Sequence, residues 1–132
     1  MTTIHLTDID RTYANNGQHL EQVFRYNLTG EIAKADNLAH DKGTDLLHYS
    51  IKSARATVCK GTDLEAYIAT DKATEFVYIT KDLTAYIMTA PLWLVFCKTF
   101  GTITTESPKN GGGKKIRLKH ETAQMLQWLA TR

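Results

Sequence analysis

Apolar residues recur along this chain with two different periods. Leu20, Val23, Phe24, Asn27 and Leu28 keep the spacing of one face of a helix, with Asn15 or Asn16 available as N-cap and Gly30 as the residue after the last turn. Further on, Leu47, Tyr49 and Ile51 alternate with His48, Ser50 and Lys52, the period of a half-buried strand. That strand is expected to continue through Ser53 to Val58, until Lys60-Gly61 breaks it. His40-Asp41-Lys42-Gly43-Thr44 is a turn cluster, so the stretch from Asp36 to Lys52 reads as a β-hairpin.

The rest of the chain divides in the same way. Residues 1 to 13 read as a loose arm with a short strand around Ile4 to Leu6, and a short helix is expected over Asp63 to Thr70. Phe76 to Ile79 and Ala85 to Met88 are aromatic and β-branched runs separated by Thr80 to Thr84, a second hairpin. Pro91 opens a helix whose Leu92, Trp93, Val95, Phe96 and Phe100 give it a broad apolar surface, with packing the default role for Trp93. Over Glu121 to Thr131, Thr122, Met125, Leu126 and Leu129 share one face with Trp128 at its margin, a terminal helix that either docks on the sheet or joins two copies. No repeat or linker divides the 132 residues, which are expected to form one α/β domain, residues 1–132, around a mixed central sheet.

The polar face of the first hairpin carries the candidate chemistry. A turn centred near Lys42-Gly43 sets Ser50 opposite Asp36, so Asp36, Ser50 and Lys52 fall on one face of the sheet. A carboxylate there suits a hard divalent cation that neutralises phosphate charge and activates water. A lysine beside it suits orienting that water and stabilising a negative transition state. Asp45 ranks below Asp36, because it has the opposite parity from Ser50 and stands too close to it for a hairpin between them.

These residues resemble the PD-(D/E)xK nuclease superfamily of restriction enzymes, repair nucleases and Holliday-junction resolvases. The resemblance covers roughly residues 14 to 90 and implies an αβββαβ core. Asp36 matches the first motif, with Ala35 in place of its proline, and Ser50-Ile51-Lys52 matches the second, with Ser50 where an acid is usual. One branch of the restriction enzymes has the same Ser-x-Lys form and takes its second carboxylate about thirteen residues after the lysine, where Glu65 stands. Many members also carry a first-helix glutamate near the metal, which Glu21 resembles by position. The resemblance therefore implies a Mg²⁺- or Mn²⁺-dependent DNA endonuclease, with Asp36, Glu65 and Glu21 as metal ligands, Ser50 and Lys52 completing the catalytic set, and a homodimer where both strands of a duplex are cut. Two of these residues have local explanations as well. Thr62-Asp63-Leu64-Glu65 reads as a capping box with Glu65 at its third helical position, and Glu21 pairs with Arg25 at i,i+4 spacing, although Arg25 also suits a phosphate.

Charge adds a second feature. The net charge is only +2, but Lys109, Lys114, Lys115, Arg117 and Lys119 cluster in and after a Gly111-Gly112-Gly113 loop without an intervening acid. Lys115, Arg117 and Lys119 alternate with Ile116 and Leu118, a basic strand face suited, together with Arg55, to a DNA backbone. The alternative is a solvated strand whose lysines protect a sheet edge. The loop lacks the Gly-Lys-Ser/Thr spacing of a nucleotide-binding P-loop. Cys59 and Cys97 have no companion ligands at metal spacing and read as buried thiols of a cytoplasmic protein, and no segment is apolar for long enough to span a membrane. The competing expectation is a non-catalytic protein on a degenerate nuclease-like fold, serving as a nucleic-acid-binding module or an inhibitor.

Overall fold

The computed structural model describes residues 1–10, 16–32 and 48–132. Asp36, Asp45 and the first arm of the 36–52 hairpin lie outside the described residues. Within them the fold is mixed α/β, with seven strands in two sheets, four helices and one 3₁₀ turn.

The first helix, α1 (Asn16–Thr29), ends as its sequence dictates. Gly30 takes φ 75°, and its N–H donates to the Tyr26 carbonyl at 2.8 Å. A four-stranded sheet runs in the order β1 (Thr2–His5), β5 (Thr84–Thr89), β4 (Glu75–Ile79), β2 (Tyr49–Lys52). β4 and β5 form the expected hairpin, β1 pairs antiparallel with β5, and β2 runs parallel to β4. Strand alternation gives this sheet two apolar faces. Ile51, Val77, Ile79, Ala85 and Ile87 pack with Leu20 and Phe24 of α1, while Phe76, Tyr78 and Met88 face the main core.

β2 does not run on to Val58. The chain leaves the strand after Lys52, and Arg55 takes φ 68° in a turn over residues 53–56, a left-handed conformation that ends strand pairing. The next strand, β3 (Thr57–Lys60), belongs to a second, antiparallel sheet of order β3, β7 (Lys114–Leu118), β6 (Gly101–Thr105). The expected strand is thus two strands in two sheets.

Three further helices, α2 (Leu64–Ala69), α3 (Ala90–Phe100) and α4 (Ala123–Ala130), contribute buried residues to the main core. Trp93 stacks on Phe76 with centroids 5.7 Å apart and contacts Phe96 at 5.5 Å, so it packs the core as expected. Each such aromatic pair adds about 0.5–1.5 kcal/mol beyond area burial. Met125 and Leu129 of α4 are buried in the same core, Trp128 closes over Phe96 and Phe100, and the Arg132 guanidinium sits 4.4 Å from the Trp128 ring centre. The terminal helix therefore docks within its own chain. β5, α3 and β6 follow one another without a single connecting residue, so one unbroken run from Thr84 to Thr105 crosses from the first sheet to the second. No described helix is long and apolar enough to cross a membrane.

Candidate nucleic-acid interface

The parity expected for β2 holds. Tyr49 and Ile51 turn toward α1, where Tyr49 meets Phe24 edge-on at 5.2 Å, and Ser50 and Lys52 take the opposite face, in register with Phe76 and Tyr78. Ser50 is buried and Lys52 is half-buried. This face looks into the main core, where burial pushes the Cys97 thiol up, Cys59 adds to the rise and the Lys52 ammonium pulls part of it back.

Of the acidic candidates, Glu21 and Glu65 are among the described residues, and they lie on different helices. Glu21 lies on α1, the helix that covers the other face of the sheet, with Arg25 one turn along it. Glu65 lies in the first turn of α2, where Asp63, not Thr62, is the N-cap and accepts from the Ala66 N–H at 3.1 Å. That places Glu65 at the second helical position, too early to close a capping box. Its exposed carboxylate instead meets the Lys98 Nζ at 2.6 Å. Among the described residues no group of three His, Cys, Asp or Glu side chains could hold a metal ion.

A cleft of about 360 Å³ opens where the parallel strands β2 and β4 end, the end at which open α/β sheets commonly bind ligands. Asp8, His19, Ser53, Lys81 and Glu121 contribute to its lining. His19 is buried, with Nε2 3.0 Å from the Asp8 carboxylate, and the Lys81 N–H donates to Glu121 at 3.0 Å. The spacing of these residues along the chain carries no motif, so nothing in the sequence marks them as a site.

The basic residues do gather. In β7, Ile116 and Leu118 point into the core and Arg117 points out to solvent. β7 is the central strand of its sheet, so its cations do not guard an edge. Its register pairs Arg117 with Thr102 and Thr57, and Lys115 with Thr104 and Lys60. The last pairing depends on a β-bulge between Thr57 and Cys59. The extra residue lets both Val58 and Cys59 turn inward and brings Lys60 to the outer face, which regular alternation would have denied it.

The outer face of the second sheet is thus made of Thr57, Lys60, Thr102, Thr104, Lys115 and Arg117, with no acid among these positions. Lys115 is ion-paired with Glu106, just beyond β6. One guanidinium nitrogen of Arg117 donates to the Arg55 carbonyl at 2.8 Å, and the Arg55 N–H reaches the Lys119 carbonyl at 3.4 Å, so the 53–56 turn is fastened beside this face. Lys114, the first residue of β7, and Lys119, just past its end, are exposed, and Lys109 is exposed in the 3₁₀ turn Pro108–Asn110. The glycine run beside it does not present a cradle of open amides. Gly111 donates to Pro108 and Gly112 to Ser107, at 3.3 and 2.9 Å, while the positive φ of Gly111, Gly112 and Gly113 turns the chain back into β7.

No family model, curated protein or solved structure matches this chain. The class defined by fold and surface is a mixed α/β protein with a basic, threonine-lined sheet face, and the likeness to PD-(D/E)xK nucleases rests on its residue pattern alone.

Proposed function

We propose that the protein binds DNA by its phosphate backbone through the outer face of the β3-β7-β6 sheet. The observation that carries this reading is the register that ranks Lys60, Lys115 and Arg117 on one face of the second sheet, with Arg55 and Lys119 at its margins. Lysine and arginine on such a surface neutralise phosphates and release condensed counterions, while threonine hydroxyls add hydrogen bonds to phosphate oxygens. Contacts of this kind position a duplex without reading its sequence. A cytoplasmic setting, in which Cys59 and Cys97 remain thiols, belongs to the same proposal.

The test is binding of a fluorescent duplex across a salt series. Affinity falls linearly on a log–log plot, and replacing Lys60 and Arg117 by Gln lowers the slope by about 0.9 for each lost phosphate contact. A salt-independent affinity, or a slope unchanged in the double variant, rules the interface out.

A second reading, metal-dependent cleavage of DNA, is favoured by one observation: Ser50 and Lys52 share a face of β2. It requires Asp36 to join them. Nicking of supercoiled DNA in Mg²⁺ or Mn²⁺ that stops in EDTA, in Lys52→Ala and in Asp36→Ala supports it, and no nicking by the folded wild type sinks it.

A further inference from the structure

The second sheet ends in an edge strand with an unusual combination of properties. β6 reads Gly-Thr-Ile-Thr-Thr and has neither charge nor proline, the residues that commonly blunt exposed edges. At its centre Ile103 is 62% exposed, more than any other large apolar residue among those described.

The hydrogen bonds of the neighbouring strand fix which main-chain groups this edge presents. The Leu118 N–H donates to Ala56 at 2.9 Å and the Gly61 N–H to the Lys114 carbonyl at 2.7 Å, so the even-numbered residues of β7 bond toward β3. The Glu106 N–H donates to Gly113 at 2.8 Å, so the odd-numbered residues bond toward β6. Register then assigns Thr102 and Thr104 to the ladder with Arg117 and Lys115. Strand alternation turns both main-chain groups of Ile103 and Thr105 out of the sheet. The Gly101 N–H is engaged with the Cys97 carbonyl at the end of α3, which leaves the Gly101 carbonyl as an outward acceptor.

We propose that β6 is a self-pairing edge that joins two copies of this chain as a two-fold dimer. The pattern is self-complementary. An antiparallel pairing centred on Ile103 sets Ile103 opposite its own copy and Gly101 opposite Thr105. The two Ile103 residues exchange N–H and carbonyl groups, and each Thr105 N–H meets the Gly101 carbonyl of the other copy. Four main-chain bonds form, and the one donor that cannot take part is the Gly101 N–H already held by α3. A two-fold axis perpendicular to the sheet keeps the faces matched. Both Ile103 side chains then lie together on the core side, beside the cleft that Ile103 lines with Leu64, Cys97 and Ile116. The outer faces merge into one six-stranded surface bearing two sets of Lys60, Lys115 and Arg117. The pairing uses no basic residue, so it stands or falls independently of DNA binding.

Sedimentation velocity without nucleic acid, from about 1 μM to about 1 mM protein, covers the range in which so small an interface assembles. The wild type shifts to a dimer as concentration rises, and hydrogen exchange at the Ile103 and Thr105 amides slows in step. Ile103→Lys, a change at an exposed side chain, leaves the circular dichroism unchanged and weakens the dimer about tenfold or more. Ile103→Pro removes an outward donor without touching the β7 ladder and does the same. If Ile103→Pro fails to fold, Ile103→Lys decides. A wild type that stays monomeric throughout, or a dimer that persists unchanged in folded Ile103→Lys, overturns the proposal.

Discussion

Lys60 and Lys115 stand directly opposite one another across β3 and β7, two like charges as a cross-strand pair. Such a pair is destabilising by itself. Here Lys115 is also ion-paired with Glu106, and the two side chains are only 15% and 29% exposed, so one acid offsets the repulsion between two lysines.

Replacing Glu106 by Gln should therefore have opposite effects on stability and binding. The variant is expected to lose about 1 kcal/mol at low salt and to recover part of it as salt screens Lys60 from Lys115. Urea melts at two ionic strengths measure this. On the proposed interface, the same change strengthens DNA binding at low salt, because Lys115 is released to the phosphates.

Gly101 joins α3 to β6 at a point with no room for a side chain. A Cβ there would overlap the Cys97 carbonyl oxygen and stand 2.8 Å from Ile116 Cγ2, although the backbone conformation itself, with φ −74°, suits any residue. Gly101→Ala is expected to cost about 2–3 kcal/mol from overpacking, read as a lower urea midpoint with an unchanged slope.

The Tyr78 hydroxyl is fully buried and has no hydrogen-bond partner among the described residues. Removing it in Tyr78→Phe should raise stability by about 1 kcal/mol, since an unpaired buried donor carries a desolvation penalty. The phenol also predicts an alkaline limit. Burial raises its pKa, and Glu121 adds to the rise, so the stability linked to the neutral phenol is present below the unfolded value of about 10 and is lost as pH climbs toward the folded value. An alkaline melting series should show a decline that is shallower in Tyr78→Phe.

At the other end of the scale, Asp82 is held below the usual carboxylate range, chiefly by the Thr80 hydroxyl, with Thr84 and His5 assisting. A depressed folded pKa contributes stability above the unfolded value of about 4 and loses it as pH falls through the folded value. Asp82→Asn should flatten that acid limb of the melting curve and leave the neutral plateau lower, because the turn between β4 and β5 is tied by these bonds.

The readable elements carried their signals locally. α1 has its apolar stripe and a glycine that accepts the left-handed turn after Thr29, and the β4–β5 hairpin has two β-rich runs about a polar turn. The break after Lys52 was hidden because Ser53-Ala54-Arg55-Ala56 contains neither glycine nor proline; a non-glycine residue takes the left-handed turn, tied by bonds to Lys119 and Arg117. Tertiary contacts decided it. The capping box failed for the opposite reason: the local pattern fitted the letters, but Asp63 is the cap and Lys98, far along the chain, pairs with the Glu65 carboxylate. On the basic sheet face, Arg117 followed from strand parity, while Lys60 depended on a bulge that the letters Thr-Val-Cys-Lys do not announce. Ser50 and Lys52 were correctly placed on one face, and Asp36 lies outside the described residues.

The unbroken passage from Thr84 to Thr105 has a mechanical meaning. A strand, a helix and a strand joined without slack behave as a crank: torque applied to β6 passes through α3 into β5 instead of dissipating in a loop. The turn at Ser53 to Ala56 makes another of the crossings and is itself fastened, by hydrogen bonds to Arg117 and Lys119. A load on the basic sheet would thus be carried into β5 and the strands paired with it, β1 and β4.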